Sequence, residues 1–225
     1  MPGQNFRGFA ERVALVVGGA RGVGRAVALQ LALEGAYVIV SHAPEDAEGA
    51  RVLRELREMG TLAHAVGGEA SRAEGVGAIF RAVEESFGRL DLLVNAGGVL
   101  SEAPLSDLTE GEWDEVLAAT LRSAFLCSRA AAGLMSKRPA PAIVNVASEA
   151  GLTGAFGGVA GVAAHAGLVG LTKALARELA PRVRVNCVAV GASPPAPDEA
   201  ARAAVYLLSP KAGSVTGQTL TVGAR

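Results

Sequence analysis

The sequence predicts an α/β fold, a doubly wound seven-stranded parallel sheet with helices on both faces. Three observations predict it. Fully apolar, β-branched runs recur along the chain, as expected of strands covered on both sides. Helical patterns of at least about ten residues separate them, which parallel crossovers require. The first apolar run also leads straight into a glycine-rich turn that opens a helix.

Taken in order, the strands are expected at Val13–Val17, Tyr37–Val40, Leu90–Val94, Ala142–Val146 and Val183–Val188. A weaker run at Leu62–Val66 and a terminal one at Gln218–Val222 complete the seven. Helical periodicity is expected over Gly22–Glu34, Glu45–Met59, Arg72–Phe87, Glu110–Ser136, Val159–Ala180 and Asp198–Leu208. Right-handed crossovers then leave the strand order 3-2-1-4-5-6-7 as the economical topology. No Pro/Ser-rich linker or repeat interrupts the alternation, so residues 1–225 read as one domain.

Composition removes several function classes. The net charge of −1 gives no electrostatic case for nucleic acid or an anionic membrane as a main partner. Cys127 and Cys187 form no CxxC pair, so neither a disulfide framework nor a metal site is expected, and a reducing, cytoplasmic setting is the default. The N-terminal residues contain no apolar core of a secretory signal. The longest apolar stretch, Phe156 to Leu171, is broken by His165 and glycines and reads as a buried helix with its approach loop, too short for a bilayer.

The turn Val17-Gly18-Gly19-Ala20-Arg21-Gly22-Val23-Gly24-Arg25 follows a buried strand. Its backbone N–H groups can approach a pyrophosphate lying on the positive end of a helix dipole. Packing alone also produces glycine-rich turns, so the strand–turn–helix context matters more than the glycines. Further along, Ile143-Val-Asn-Val-Ala-Ser148 leads into Ala160-Gly161-Val-Ala-Ala-His165, and Asp91-Leu-Leu-Val-Asn95-Ala96-Gly97-Gly98 closes another strand. These motifs and their spacing resemble the short-chain dehydrogenase/reductase family, with its Rossmann-like scaffold, and in particular its 3-oxoacyl-ACP reductase-like members. The resemblance runs over nearly the whole chain.

The resemblance implies a dinucleotide site built from Gly18, Arg21, Gly22, Val23 and Gly24, from Ser41 and His42, from Glu69, and from Asn95, Ala96 and Gly97. Ala96 replaces the second asparagine of the family's Asn-Asn-Ala-Gly element, and Glu69 falls where relatives place an aspartate beside the adenine. An acid at the end of the second strand would bind the ribose 2′-OH of NAD, but Ser41-His42 offers none before Glu45. Arg21 matches a position that helps bind the 2′-phosphate in NADP-using relatives, and an arginine suits that group bidentately. A solvated loop arginine is the plainer alternative. NADP(H) is therefore expected over NAD(H), weakly or not at all.

The family's chemistry is where the chain departs. In relatives a tyrosine transfers the substrate proton, a lysine lowers its pKa and holds the nicotinamide ribose, a serine positions the carbonyl, and an asparagine completes a water relay. Here Gly161 stands in the tyrosine place, His165 in the lysine place and Thr120 in the asparagine place; only Ser148 survives. The two tyrosines, Tyr37 and Tyr206, lie in the second strand and last helix, so no shift of register restores the pair. His165 titrates near neutrality and could act with Ser148 or a water, or could be a packed remnant. Val190 replaces the proline of the family's Pro-Gly turn, and Ala192–Asp198 is proline-rich where relatives carry a long substrate lid.

Two readings follow from the resemblance. The first is a non-catalytic member, acting as a binding, regulatory or partner subunit. The second is an NADPH-dependent oxidoreductase acting on a carbonyl or alcohol through Ser148, His165 and water. In either case the small-residue helices Glu110–Ser136 and Val159–Ala180 match the family's four-helix interface, which implies a homodimer or tetramer, or pairing with an active paralogue.

Overall fold

The computed structural model describes residues 8–99, 103–155, 157–191 and 197–223. Seven strands form one sheet in the order β3-β2-β1-β4-β5-β6-β7, every neighbouring pair parallel. They are β1 Val13–Val17, β2 Tyr37–His42, β3 Ala63–Gly67, β4 Leu92–Asn95, β5 Ala142–Ser148, β6 Arg184–Val190 and β7 Thr219–Val222. The expected order is thus as found. The boundaries of four strands differ in one way: β2 to β5 continue past their apolar runs to end on a polar residue or glycine. His42, Asn95 and Ser148 sit on these last paired rungs, where periodicity fades but the ladder does not.

The helices are α1 Gly22–Leu33, α2 Glu48–Glu58, α3 Ala73–Phe87, α4 Glu110–Leu117, α5 Ser123–Met135, α6 Ala150–Thr153, α7 Val159–Glu178 and α8 Pro197–Leu208. One sheet face buries Val27, Leu31, Val52, Leu56, Ala204 and Leu208 from α1, α2 and α8. The other buries Ile79, Val83, Cys127, Met135 and Ala176 from α3, α5 and α7. Each strand is apolar on both sides because each side meets helices. The helix expected over Glu110–Ser136 is interrupted at Ala118–Arg122 by one π turn, which sequence periodicity does not reveal.

Helix α7 corrects an expectation. Its 20 residues are long and apolar enough to cross a membrane. Packing rather than length decides its place: Ala160, Ala164, Leu168, Val169 and Ala176 are buried against α4 and the sheet. Gly167 has no Cβ, which admits the Leu121 side chain, so part of the small-residue pattern serves internal packing.

Two arginine clusters hold elements together at the starts of β4 and β6. Asp91 is fully buried at the foot of β4 and accepts from Val13 N–H at 2.9 Å, from Arg89 Nε and Nη2 at 2.9 Å each and from Arg138 Nε at 3.1 Å. Burial alone would raise its pKa, but these donors outweigh it and hold the carboxyl below its usual range. Across the sheet, Arg184 donates to the carbonyls of Leu207, Leu208, Ser209 and Val215, joining β6 to the end of α8.

Candidate dinucleotide site and the altered catalytic cleft

The turn between β1 and α1 is folded tightly on its neighbour. Gly18 has φ +72°, and a Cβ there would lie 2.7 Å from Gly97 Cα and N. Gly24 meets the Gly18 carbonyl just as closely, so the turn and the start of α1 are pressed together and onto the loop after β4. Gly22, by contrast, has φ +50° and opens onto free space. Arg21 caps α1 with extended backbone and makes no side-chain bond to its first amides. This cradle suits the pyrophosphate of a dinucleotide, held by backbone N–H groups at the positive end of α1.

At the adenosine end the expected residues behave differently from one another. Ser41 is buried, and its carbonyl accepts from Gly19 N–H at 3.1 Å, so it supports the turn from below. The His42 ring is folded over Gly49 at the start of α2, with Nδ1 2.8 Å from the Ala43 carbonyl. Arg21 does reach across this mouth, but its Nη2 bonds Asp46 Oδ1 at 2.7 Å. Asp46, missed in the sequence because it lies beyond the end of β2, also accepts from Glu48 N–H at 3.0 Å. Glu69 holds Ser71 through its hydroxyl at 2.8 Å and its N–H at 3.3 Å, ahead of α3.

Asn95 also takes an unexpected role. It is buried beneath the cleft, its side-chain amide donating to Asn145 Oδ1 at 2.8 Å and Ser128 Oγ at 3.2 Å. Asn145 in turn donates to Thr172 Oγ1 at 2.9 Å, and Thr172 to the Leu168 carbonyl at 2.8 Å. The chain links β4, β5, α5 and α7 under the site. Ala96 and Gly97 lie above it, with Gly97 forming the floor for Gly18. Asn145 stood in the sequence within an apolar strand, where a lone amide gives no sign of its partners.

The altered catalytic positions fall at the end of β5, on α7 and in the π turn between α4 and α5. Ser148 closes β5 half-buried, its Oγ accepting from Ala150 N–H at 3.2 Å. Gly161 and His165 lie one turn apart on α7, both buried. The His165 side chain is buried, and its Nδ1 has no hydrogen-bond partner among the described residues. No hydrogen bond among the described residues joins it to Ser148. Gly151 of α6 packs on it, a Cβ there lying 2.9 Å from His165 Cβ. Burial pushes the His165 pKa down, so the imidazole is neutral at physiological pH.

Thr120 sits at the centre of the π turn, fully buried, with Oγ1 accepting from Val99 N–H at 3.4 Å. Such turns recur at functional positions, and this one places a hydroxyl where the family resemblance places a carboxamide. Glu149 was not anticipated. Its carboxylate lies beside Gly191, where a Cβ would come within 2.8 Å of Oε2. The expected proline-stiffened segment falls largely on residues 192–196, outside the described residues. Burial raises Cys127 and Cys187 to about 12, which leaves both thiols unreactive.

A sheet of this order, a glycine cradle and a serine at the end of β5 define a nucleotide-binding α/β scaffold of one particular family. The family model described as short chain dehydrogenase matches residues 12–202, and the chain belongs to that family. It is 40% identical over 179 residues to 3-oxoacyl-[acyl-carrier-protein] reductase FabG of Staphylococcus aureus, covering 79% of this chain and 73% of the relative. A 3-oxoacyl-[acyl-carrier-protein] reductase of Synechocystis sp. is 38% identical over 181 residues, covering 80% and 73%. A dehydrogenase/reductase from Sinorhizobium meliloti 1021 superposes with a TM-score of 0.91 at 31% identity, covering 97% of this chain and 96% of that one.

Proposed function

We propose that this chain is a dinucleotide-binding member of the family that has given up the family's ordinary proton-transfer chemistry and acts as a binding, regulatory or partner subunit. The single observation that carries the reading is the pair on α7. Gly161 has no side chain to move a proton, and His165 is buried and neutral where an ammonium would lower a tyrosine's pKa and hold ribose. Ser148 without an activating base is no nucleophile. The glycine cradle supports retained nucleotide binding, and Arg21 favours NADP(H) over NAD(H). When bound, the dinucleotide would supply a hydride; the chain's own residues supply the cradle and a serine hydroxyl.

One observation favours a second reading. The orphaned His165 Nδ1 is a buried acceptor or donor awaiting a partner. On that reading the chain is an NADPH-dependent reductase or alcohol dehydrogenase with an unusual acid–base pair, in keeping with the names of its relatives. Calorimetric titration with NADP(H) and NAD(H), run beside turnover assays on ketones and aldehydes, separates the two. Binding without turnover supports the first reading, and turnover abolished by His165→Ala supports the second.

The same proposal includes self-association in a reducing, cytoplasmic setting. A broad concavity of about 1320 Å³ lies over α4, α5 and α7, lined in part by Val99, Leu121, Phe125 and Leu171. Phe125 is 42% exposed there, with Arg129 stacked over its ring. Glu74, Asp114, Glu115 and Arg122 also line it, and a mixed apolar and charged surface of this kind suits a second copy of the chain or an active paralogue.

A further inference from the structure

Arg21 is the residue that gives the site its leaning toward a 2′-phosphate, yet it is already engaged. Its guanidinium leaves the glycine turn and bonds Asp46 at 2.7 Å, closing the mouth between the β1–α1 turn and the β2–α2 loop. The two partners are unequal. The Arg21 side chain is 70% exposed, whereas that of Asp46 is 16% exposed. The Asp46 carboxylate is also fixed from behind by Glu48 N–H, and its backbone N–H donates to the Ala43 carbonyl at 2.9 Å. The carboxylate is the anchored partner and the arginine the exposed one.

In this fold the end of the second strand is where the adenine ribose is read. An acid there accepts from a 2′-OH; a guanidinium there takes a 2′-phosphate. Here both groups meet at one point. The contact falls on Nη2, the nitrogen shared by both two-donor edges of the arginine fork, so a phosphate seeking bidentate contact must share or displace the carboxylate. A phosphate entering the pair also brings negative charge against a carboxylate that stays in place.

Building on the dinucleotide-binding reading above, we propose that Asp46 sets nucleotide discrimination in this chain. It occupies Arg21 in the free protein as an internal competitor of the 2′-phosphate, and it narrows the preference for NADP(H) over NAD(H). Arg21 supplies the attraction, and Asp46 limits it. NAD(H) meets no such competition, because its 2′-OH does not call on the arginine.

The test is calorimetric titration of the full chain with NADP+ and NAD+, for the unmodified protein, Asp46→Asn and Arg21→Ala. Asparagine preserves the acceptor that caps α2, so folding is retained. Asp46→Asn is expected to tighten NADP+ binding by about fivefold, the upper end for release of an exposed ion pair, and to leave NAD+ within about twofold. Arg21→Ala is expected to erase the difference between the nucleotides. An unchanged or reduced NADP+/NAD+ ratio in Asp46→Asn overturns the proposal while leaving nucleotide binding intact. No binding of either nucleotide to any of the three proteins overturns the underlying reading together with it.

Discussion

At the scale of single residues, the cleft is defined by what its side chains can do with a proton. His165 offers the clearest measurement. Burial lowers its folded pKa, so the unfolded chain takes up a proton more readily than the folded one. Stability contributed by the neutral imidazole is complete above the unfolded value of about 6.5 and is lost as the pH falls below it. Denaturant midpoints measured from pH 8 to pH 5 should therefore decline below about pH 6.5, and His165→Gln should flatten that decline. A profile identical in the two proteins would place the histidine in water. The double change Gly161→Tyr with His165→Lys should restore the acid and its tuning. General acid–base catalysis is worth roughly 10²–10⁴-fold, so NADPH oxidation should rise from undetectable to measurable. It should stay well below that of an active relative because Thr120 remains. Equal activity in the unmodified chain would sink the non-catalytic reading.

At the scale of elements, the β1–α1 turn is the piece that cannot be altered quietly. Gly18→Ala places a methyl 2.7 Å from Gly97 backbone atoms at a positive φ, and neither side is a flexible side chain. A loss of roughly 2 kcal/mol or more is expected in chemical denaturation, with nucleotide binding lost alongside. A variant of unchanged stability and affinity would mean that the loop after β4 yields freely. Much of the fold was legible in the sequence: the seven strands and their order follow from periodicity and the strand–helix alternation. The π turn was not, because one inserted residue leaves the apolar pattern of a helix almost unchanged. Nor were the partners of Arg21, His42 and Asn95, since contacts such as Arg21–Asp46 and Asn95–Asn145 join residues far apart in the chain. The polar positions were visible, but their hydrogen bonds belong to the tertiary structure.

At the scale of the whole molecule, Asp91 is the single group on which several elements depend. It bonds β1, the start of β4 and the loop before β5 through one buried carboxylate. Asp91→Ala strands two guanidinium groups and a backbone donor, and a loss of about 3–5 kcal/mol is expected in urea unfolding. Because the folded pKa is depressed, the stabilisation is present above about pH 4 and disappears as the pH falls through the lower folded value. Acid unfolding should accordingly be steep below about pH 4 in the native chain and shallower in Asp91→Ala. For assembly, Phe125→Glu puts a charge into the concavity over α4, α5 and α7. A dimer in sedimentation should become a monomer; an unaltered sedimentation profile would remove that surface from consideration.

The buried amide pair beneath the cleft has a bearing on how the chain finds its alignment. A strand with one wet face is told by its alternation which residues must point inward, and a slip of one residue exposes the error at once. The central strands here are apolar on both sides, so a slipped β4 or β5 would still bury valine against helix and meet little hydrophobic penalty. Asn95 opposite Asn145 supplies the missing instruction, because one misplaced rung would part the two amides from each other in a dry interior. The pair acts as a vernier mark on an otherwise unmarked scale. Replacing both asparagines with valine should leave a compact, helical protein whose amide spectrum shows several coexisting alignments in place of one.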